Sequence, residues 1–206
     1  MKKTTLIIAG LLLALARPAQ ANFSQTFGGG VIPDNDVSGW SATVNVPNSF
    51  TIDKVTVGLS LSGGWNGDLY ATLVHSSGFA VLLNRVGRGD TGGLTSAGFQ
   101  GPGMNVTLDD SAVLGRQNIH DVASLSPGGT YYSDGRTVDP GAVNDALFNA
   151  PVLSPALLSS FNGLNSSGNW TLFITDVSGG DVSTLNSFSL GIMELCLLYT
   201  SDAADE

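Results

Sequence analysis

Cysteine is almost absent from this chain. The single one, Cys196, stands near the C-terminus, so no internal disulfide can form. Positive charge is scarce too: eight Lys and Arg face seventeen Asp and Glu, for a net charge of −9. Between Asn22 and Leu195 the cations are Lys54, Arg85, Arg88, Arg116 and Arg136. Phosphate backbones and anionic lipid surfaces are held by clustered Lys and Arg, so nucleic acid and anionic membrane surfaces are excluded as partners. Glutamate is nearly missing from the same span, where Glu194 stands alone among many Asp. The short Asp carboxylate bonds to nearby backbone and shapes turns, and it suits oxygen-coordinated calcium. Histidine occurs twice, at His75 and His120. Two distant His without a native Cys do not close a tetrahedral zinc site. They also fall short of a subtilisin-like triad: neither lies in a His-Gly-Thr-His setting, and no Gly-x-Ser-x-Gly elbow is present. No catalytic machinery is therefore expected.

The ends read differently from the middle. Lys2 and Lys3 precede an apolar run, Leu6 to Ala16, which is short for a bilayer span; Ala19-Gln20-Ala21 is a small-x-small cleavage site. Residues 1–21 are expected to be a signal peptide, and the product to be exported to a periplasmic, cell-surface or extracellular place without membrane insertion. The tail "CLLYTSDAADE", residues 196–206, resembles the translated end of a sequencing-library adapter and is set aside.

In between, alternation dominates. "TIDKVTVGLSL" from Thr51 to Leu61 puts Val55, Val57, Leu59 and Leu61 on one face. "GDLYATLVH", the turn Ser76-Ser77-Gly78 and the run Phe79 to Leu83 make a hairpin. "WTLFITD" and "SFSLGIM" alternate likewise; weaker strands cover Ser41 to Val46 and Met104 to Leu108. One short helix is expected near 155–161, capped by Ser154 and ended by Gly163. Residues 22–30 read as a flexible lead-in, 31–195 as one β-sandwich domain, and 115–150 as a long irregular excursion. Short strands with Gly-rich turns indicate an antiparallel sandwich.

Several spacings carry a family resemblance. Ile32-Pro33-Asp34-Asn35 opens the domain, Gly67-Asp68-Leu69 starts a central strand, and Gly168-Asn169-Trp170-Thr171-Leu172 leads to Asp176. Gly180-Asp181 is followed by Thr184 to Leu190. In this order they resemble the P domain (Homo B domain) of proprotein convertases and bacterial subtilisin-like proteases. The chain departs from that pattern at Gly63, Phe188 and most of 87–155. The resemblance implies a galactose-binding-like jelly roll that follows, and supports, a separate serine endopeptidase domain. Here it implies an exported, non-catalytic structural or interaction module, with a protein partner or a cell-surface matrix.

Two sets of residues are candidates for binding. Asp34, Asn35, Asp36, Asp68, Asp176 and Asp181 sit where strand ends of a jelly roll meet, and their oxygens suit calcium. Asp109-Asp110 form a second acidic pair. In the alternative reading each Asp only caps a turn. Trp40, Trp65 and Tyr70 are candidates for stacking on a glycan, against core or edge packing. His75, at a strand end, is expected on the surface, and Trp170 in the interior. Arg88-Gly89-Asp90 matches the integrin tripeptide by chance.

Overall fold

The structure is a computed structural model that describes residues 21–89, 96–111, 113–149 and 155–196. The signal segment, Asp90, Ser154 and almost all of the adapter-like tail lie outside the described residues. The domain is an all-β sandwich. One sheet has five strands in the order β1-β9-β3-β6-β7, the other four in the order β2-β8-β4-β5. The strands are β1 Ala21–Ile32, β2 Trp40–Val46, β3 Ile52–Gly63, β4 Leu69–His75, β5 Gly78–Asn84, β6 Gly103–Asp109, β7 Gly129–Tyr131, β8 Gly168–Asp176 and β9 Ser183–Glu194. Every pairing is antiparallel except that of β6 with β7. No helix among the described residues is long and apolar enough to cross a membrane.

Alternation in the chain becomes two faces. Val55, Val57, Leu59 and Leu61 of β3, with Phe188, Leu190 and Ile192 of β9, point inward. They meet Leu69, Ala71 and Leu73 of β4 and Trp170, Leu172 and Ile174 of β8. Each fully buried aliphatic or aromatic side chain contributes roughly 1.5–3 kcal/mol. Trp170 is fully buried, as its place in the alternation requires, with the Phe161 ring 4.8 Å away and its indole N–H donating to the Ser166 carbonyl.

Three expectations need correction. The stretch 22–30 is no flexible lead-in: it lies within β1, which pairs with β9 from Ala21↔Met193 to Ile32↔Ser183. Glycines at 28–30 hide the strand pattern, but Phe27 stacks on Phe188 at 4.9 Å and Ile32 is fully buried. The helix near 155–161 shrinks to a 3-10 turn, Leu158–Phe161. Ala156 spends its backbone elsewhere, donating to Gly135 and accepting from Val81, so no helical ladder starts there. His75 is buried at 5% exposure, its ring stacked 4.4 Å from Trp170. Its Nε2 donates to the Ser167 carbonyl and its Nδ1 accepts from the Ser77 hydroxyl, so burial leaves neither nitrogen bare.

The excursion after β6 is pinned by polar groups, with β7 the sole strand among its described residues. His120 Nδ1 lies 2.8 Å from Asp134 and its Nε2 donates to the Arg88 carbonyl. Arg136 bridges Asp134, Asp121 and the Phe148 carbonyl. Arg88, the first residue of the integrin-like tripeptide, is buried against Asp145 and the Phe148 ring. It is framework.

Candidate functional site: the acidic end of the sandwich

Three connections cross from one sheet to the other at the same end. Residues 33–39 join β1 to β2, 64–68 join β3 to β4, and 177–182 join β8 to β9. The registers require this: Ile32 and Gly63 both pair with Ser183, while Leu69 pairs with Asp176 and Trp40 with Ile174. All six candidate ligands lie on these connections or at their edge, so residues far apart in the chain share one rim.

Short polar bonds lock the rim. Asp36 donates its N–H to the Asp176 carbonyl at 3.1 Å, and the Thr175 hydroxyl donates to the Asp36 carbonyl at 2.6 Å. Val177 N–H reaches the Asp68 carbonyl at 2.9 Å, and Gly180 N–H reaches the Asp34 carboxylate at 3.2 Å. Asn35 and Gly39 both have positive φ, 50° and 57°. A Cβ on Gly39 would sit 2.5 Å from the Ile174 carbonyl oxygen, which makes glycine necessary there.

The turn-capping alternative is also visible. Asp36 accepts from Ser38 N–H, Asp109 from Ser111 N–H and Asp176 from Ser178 N–H. The same two-residue reach is made by Asp134, Asp139, Asn118, Asn144 and Asn165. This explains the preference for Asp over Glu, whose extra methylene overshoots that bond. Asp109 and Asp110 are otherwise committed, Asp109 to Lys54 and Arg116 and Asp110 to Ser133.

Charge at the rim is uneven. Asp34, Asn35, Asp36 and Asp181 are exposed. Asp68 is half-buried, with Arg85 3.1 Å away. Arg85 also donates to the Gly67 carbonyl, and burial lowers its pKa. Asp176 is fully buried: Oδ1 holds Ser178, and Oδ2 has no partner. Burial, with the nearby charges of Asp68 and Asp34, pushes its carboxyl up to about 6 against the pull of the Ser178 N–H and Arg85. Burial raises Asp68 as well, despite Arg85. Asp36 goes the other way, held low by Ser38. Among the described residues no three Asp, Glu, His or Cys side chains already converge on a metal-sized point. Exposed valines, Val31, Val37 and Val182, border the acids.

The aromatic candidates do not form a platform. Trp40 pairs with inward-facing Ile174 and packs edge-on to Phe188. Tyr70 pairs with Thr175 on the other face, since facing residues of two strands share a side. The Trp65 indole N–H is tied to the Ala97 carbonyl at 3.0 Å.

Sequence reasoning missed Arg85, the rim's cation, and the network of His120, Asp134 and Arg136. The signal was the scarcity of cations: with so few, each is expected to have a carboxylate to satisfy. It also missed the outer face of the five-stranded sheet. There Thr26, Ser189, Gly58 and Thr107 form one cross-strand row, and Ser187, Ser60 and Asn105 the next. A shallow depression lies over Gly58, lined by these Ser, Thr and Asn residues.

No family profile matches the chain, and no curated protein matches it. Among solved structures it is similar to a serine protease of Aeromonas sobria in complex with a chaperone, at 17% identity and a TM-score of 0.47, covering 88% of this chain and 28% of that one. It is similar also to the serine protease of Aeromonas sobria on its own, at 16% identity and a TM-score of 0.47, covering 87% and 28%. The chain thus spans less than a third of the length of either protease chain.

Proposed function

We propose that this chain is an exported, non-catalytic module of the P-domain type that packs against a protein partner and acts as an accessory to a subtilisin-like endopeptidase. The observation that carries the reading is where the resembling residues lie. Asp68 clamps Arg85 and the start of β8's exit loop, Trp170 and Leu190 fill the core, and Asp176 sits buried at the rim. The shared positions are framework positions, so the likeness is one of scaffold.

The nucleophile-like contact between Ser77 and His75 fits the same view. Ser77 also turns its own N–H onto His75 Nδ1, at 3.4 Å, so the contact closes a two-residue hairpin loop on itself. The surface offered to a partner is the depression over Gly58 on the outer face of the five-stranded sheet, lined by uncharged Ser, Thr and Asn residues, where little desolvation of charge opposes contact.

Two measurements test this. The whole protein incubated with casein and peptide anilides should release nothing; turnover that persists through purification and vanishes in Ser77→Ala would end the non-catalytic reading. Chemical cross-linking of the protein in the organism that encodes it should join it to a subtilisin-like endopeptidase. Cross-links confined to unrelated proteins would remove the accessory role.

A further inference from the structure

We propose that the acidic end of the sandwich holds a divalent cation of calcium size, anchored on Asp176 and flanked by Asp34 and Asp68. This goes beyond the docking role and does not depend on it.

The argument starts from an oxygen without a partner. Asp176 is fully buried, yet its Oδ2 accepts no hydrogen bond. A bare buried carboxylate oxygen is costly, and such groups in native proteins mark a water or an ion. One more orphan stands at the same end: Ser183 Oγ, 1% exposed, at the start of β9. Beside it the acids outnumber the cations: among the described residues, of Asp34, Asp36, Asp68, Asp176 and Asp181 only Asp68 has an ion-pair partner, Arg85, which also donates to the Gly67 carbonyl. The Asp68 carbonyl accepts from Val177 N–H and the Asp34 carboxylate from Gly180 N–H, which ties both residues to the loop that follows Asp176.

The donor set decides the metal class. Among the described residues fewer than three carboxylate, His or Cys side chains converge, and no cysteine or histidine stands on the three connections, so the tetrahedral zinc pattern is not met there. Calcium takes six to eight oxygens in flexible geometry and accepts hydroxyl, amide and main-chain carbonyl oxygens beside carboxylates. The rim has all of these on three cross-tied connections. Magnesium demands tighter octahedral order than such a mixed set offers. The cation would replace the missing hydrogen bond of Asp176 and hold three sheet-to-sheet crossings together.

The test is a melting curve of the whole protein after chelator treatment, with added calcium chloride. At about 5 mM calcium the midpoint should rise by about 4 °C or more, because a ligand that binds only the folded form stabilises it by mass action. Magnesium at the same concentration should do much less, and potassium chloride at matched ionic strength nothing. Asp176→Asn and Asp34→Asn should each lose most of the calcium shift, while Asp109→Asn, at the Lys54 and Arg116 pair, keeps it. Asp34 is exposed, so its variant folds even if the buried one does not. Terbium luminescence excited through tryptophan should follow the same pattern. Absence of a calcium shift overturns the proposal. So does a shift matched by magnesium or salt, or one that survives in Asp34→Asn and Asp176→Asn.

Discussion

Asp176 is bonded at one oxygen and bare at the other, and its protonation follows from that position. In the folded protein it holds its proton up to about pH 6, against an ordinary value of 3.8. Between those values the folded form binds more protons than the unfolded chain, so stability falls as pH rises through the window. Asp68, raised for the same reason, acts in the same direction. Chelator-treated protein should therefore melt a few degrees higher at pH 5 than at pH 7, and Asp176→Asn should flatten most of that difference; a melting point that climbs from pH 5 to 7 contradicts it. The presence of Asp at this point was readable from the residues alone. Its solitude was not, because the orphaned oxygen depends on what β4, β8 and the 33–39 turn bring to it. His75 shows the same limit: a strand-end histidine looks exposed until Ser167 and Trp170, nearly a hundred residues on, cover it.

At the scale of elements, period-2 patterning was sufficient wherever both faces were marked. β3, β4, β8 and β9 fall where Val, Leu, Ile and Phe alternate with Ser and Thr. It failed for β1, whose Gly28, Gly29 and Gly30 carry no side chain to declare a face. Partnership with β9, rather than propensity, makes that strand. Its amides that bond to β9 should consequently exchange slowly, most of all those within Gln25 to Phe27, and deletion of residues 22–30 should leave β9 an open edge and the protein prone to aggregate. Hydrogen exchange read by mass spectrometry checks this; amides of β1 exchanging as fast as a free peptide would restore the lead-in reading. The helix expected near 155–161 was lost to similar competition, since Ala156 finds backbone partners in Val81 and Gly135.

For the whole molecule, the two sheets close over one core, and Trp170 is the largest fully buried side chain in it. Trp170→Ala should cost about 3–5 kcal/mol, measured by urea unfolding. That is a large part of the ~5–15 kcal/mol that holds a domain folded, so the variant should unfold near room temperature or not fold. A loss under about 1 kcal/mol would mean the interior is looser than its packing. The all-β class was legible in full from the alternation, and the gathering of the acids at one end from the jelly-roll resemblance. The sheet order, the polar pins of the excursion and the hydroxyl-covered face were not, because each depends on contacts between distant segments.

Because Ala21 lies opposite Met193, the beginning and the close of the sandwich emerge side by side, at the pole remote from Asp34 and Asp181. Anything joined upstream or downstream departs from that pole. A tether could thus hold the module to a larger body while the carboxylate-bearing loops remain turned outward, free to meet an ion or a neighbour.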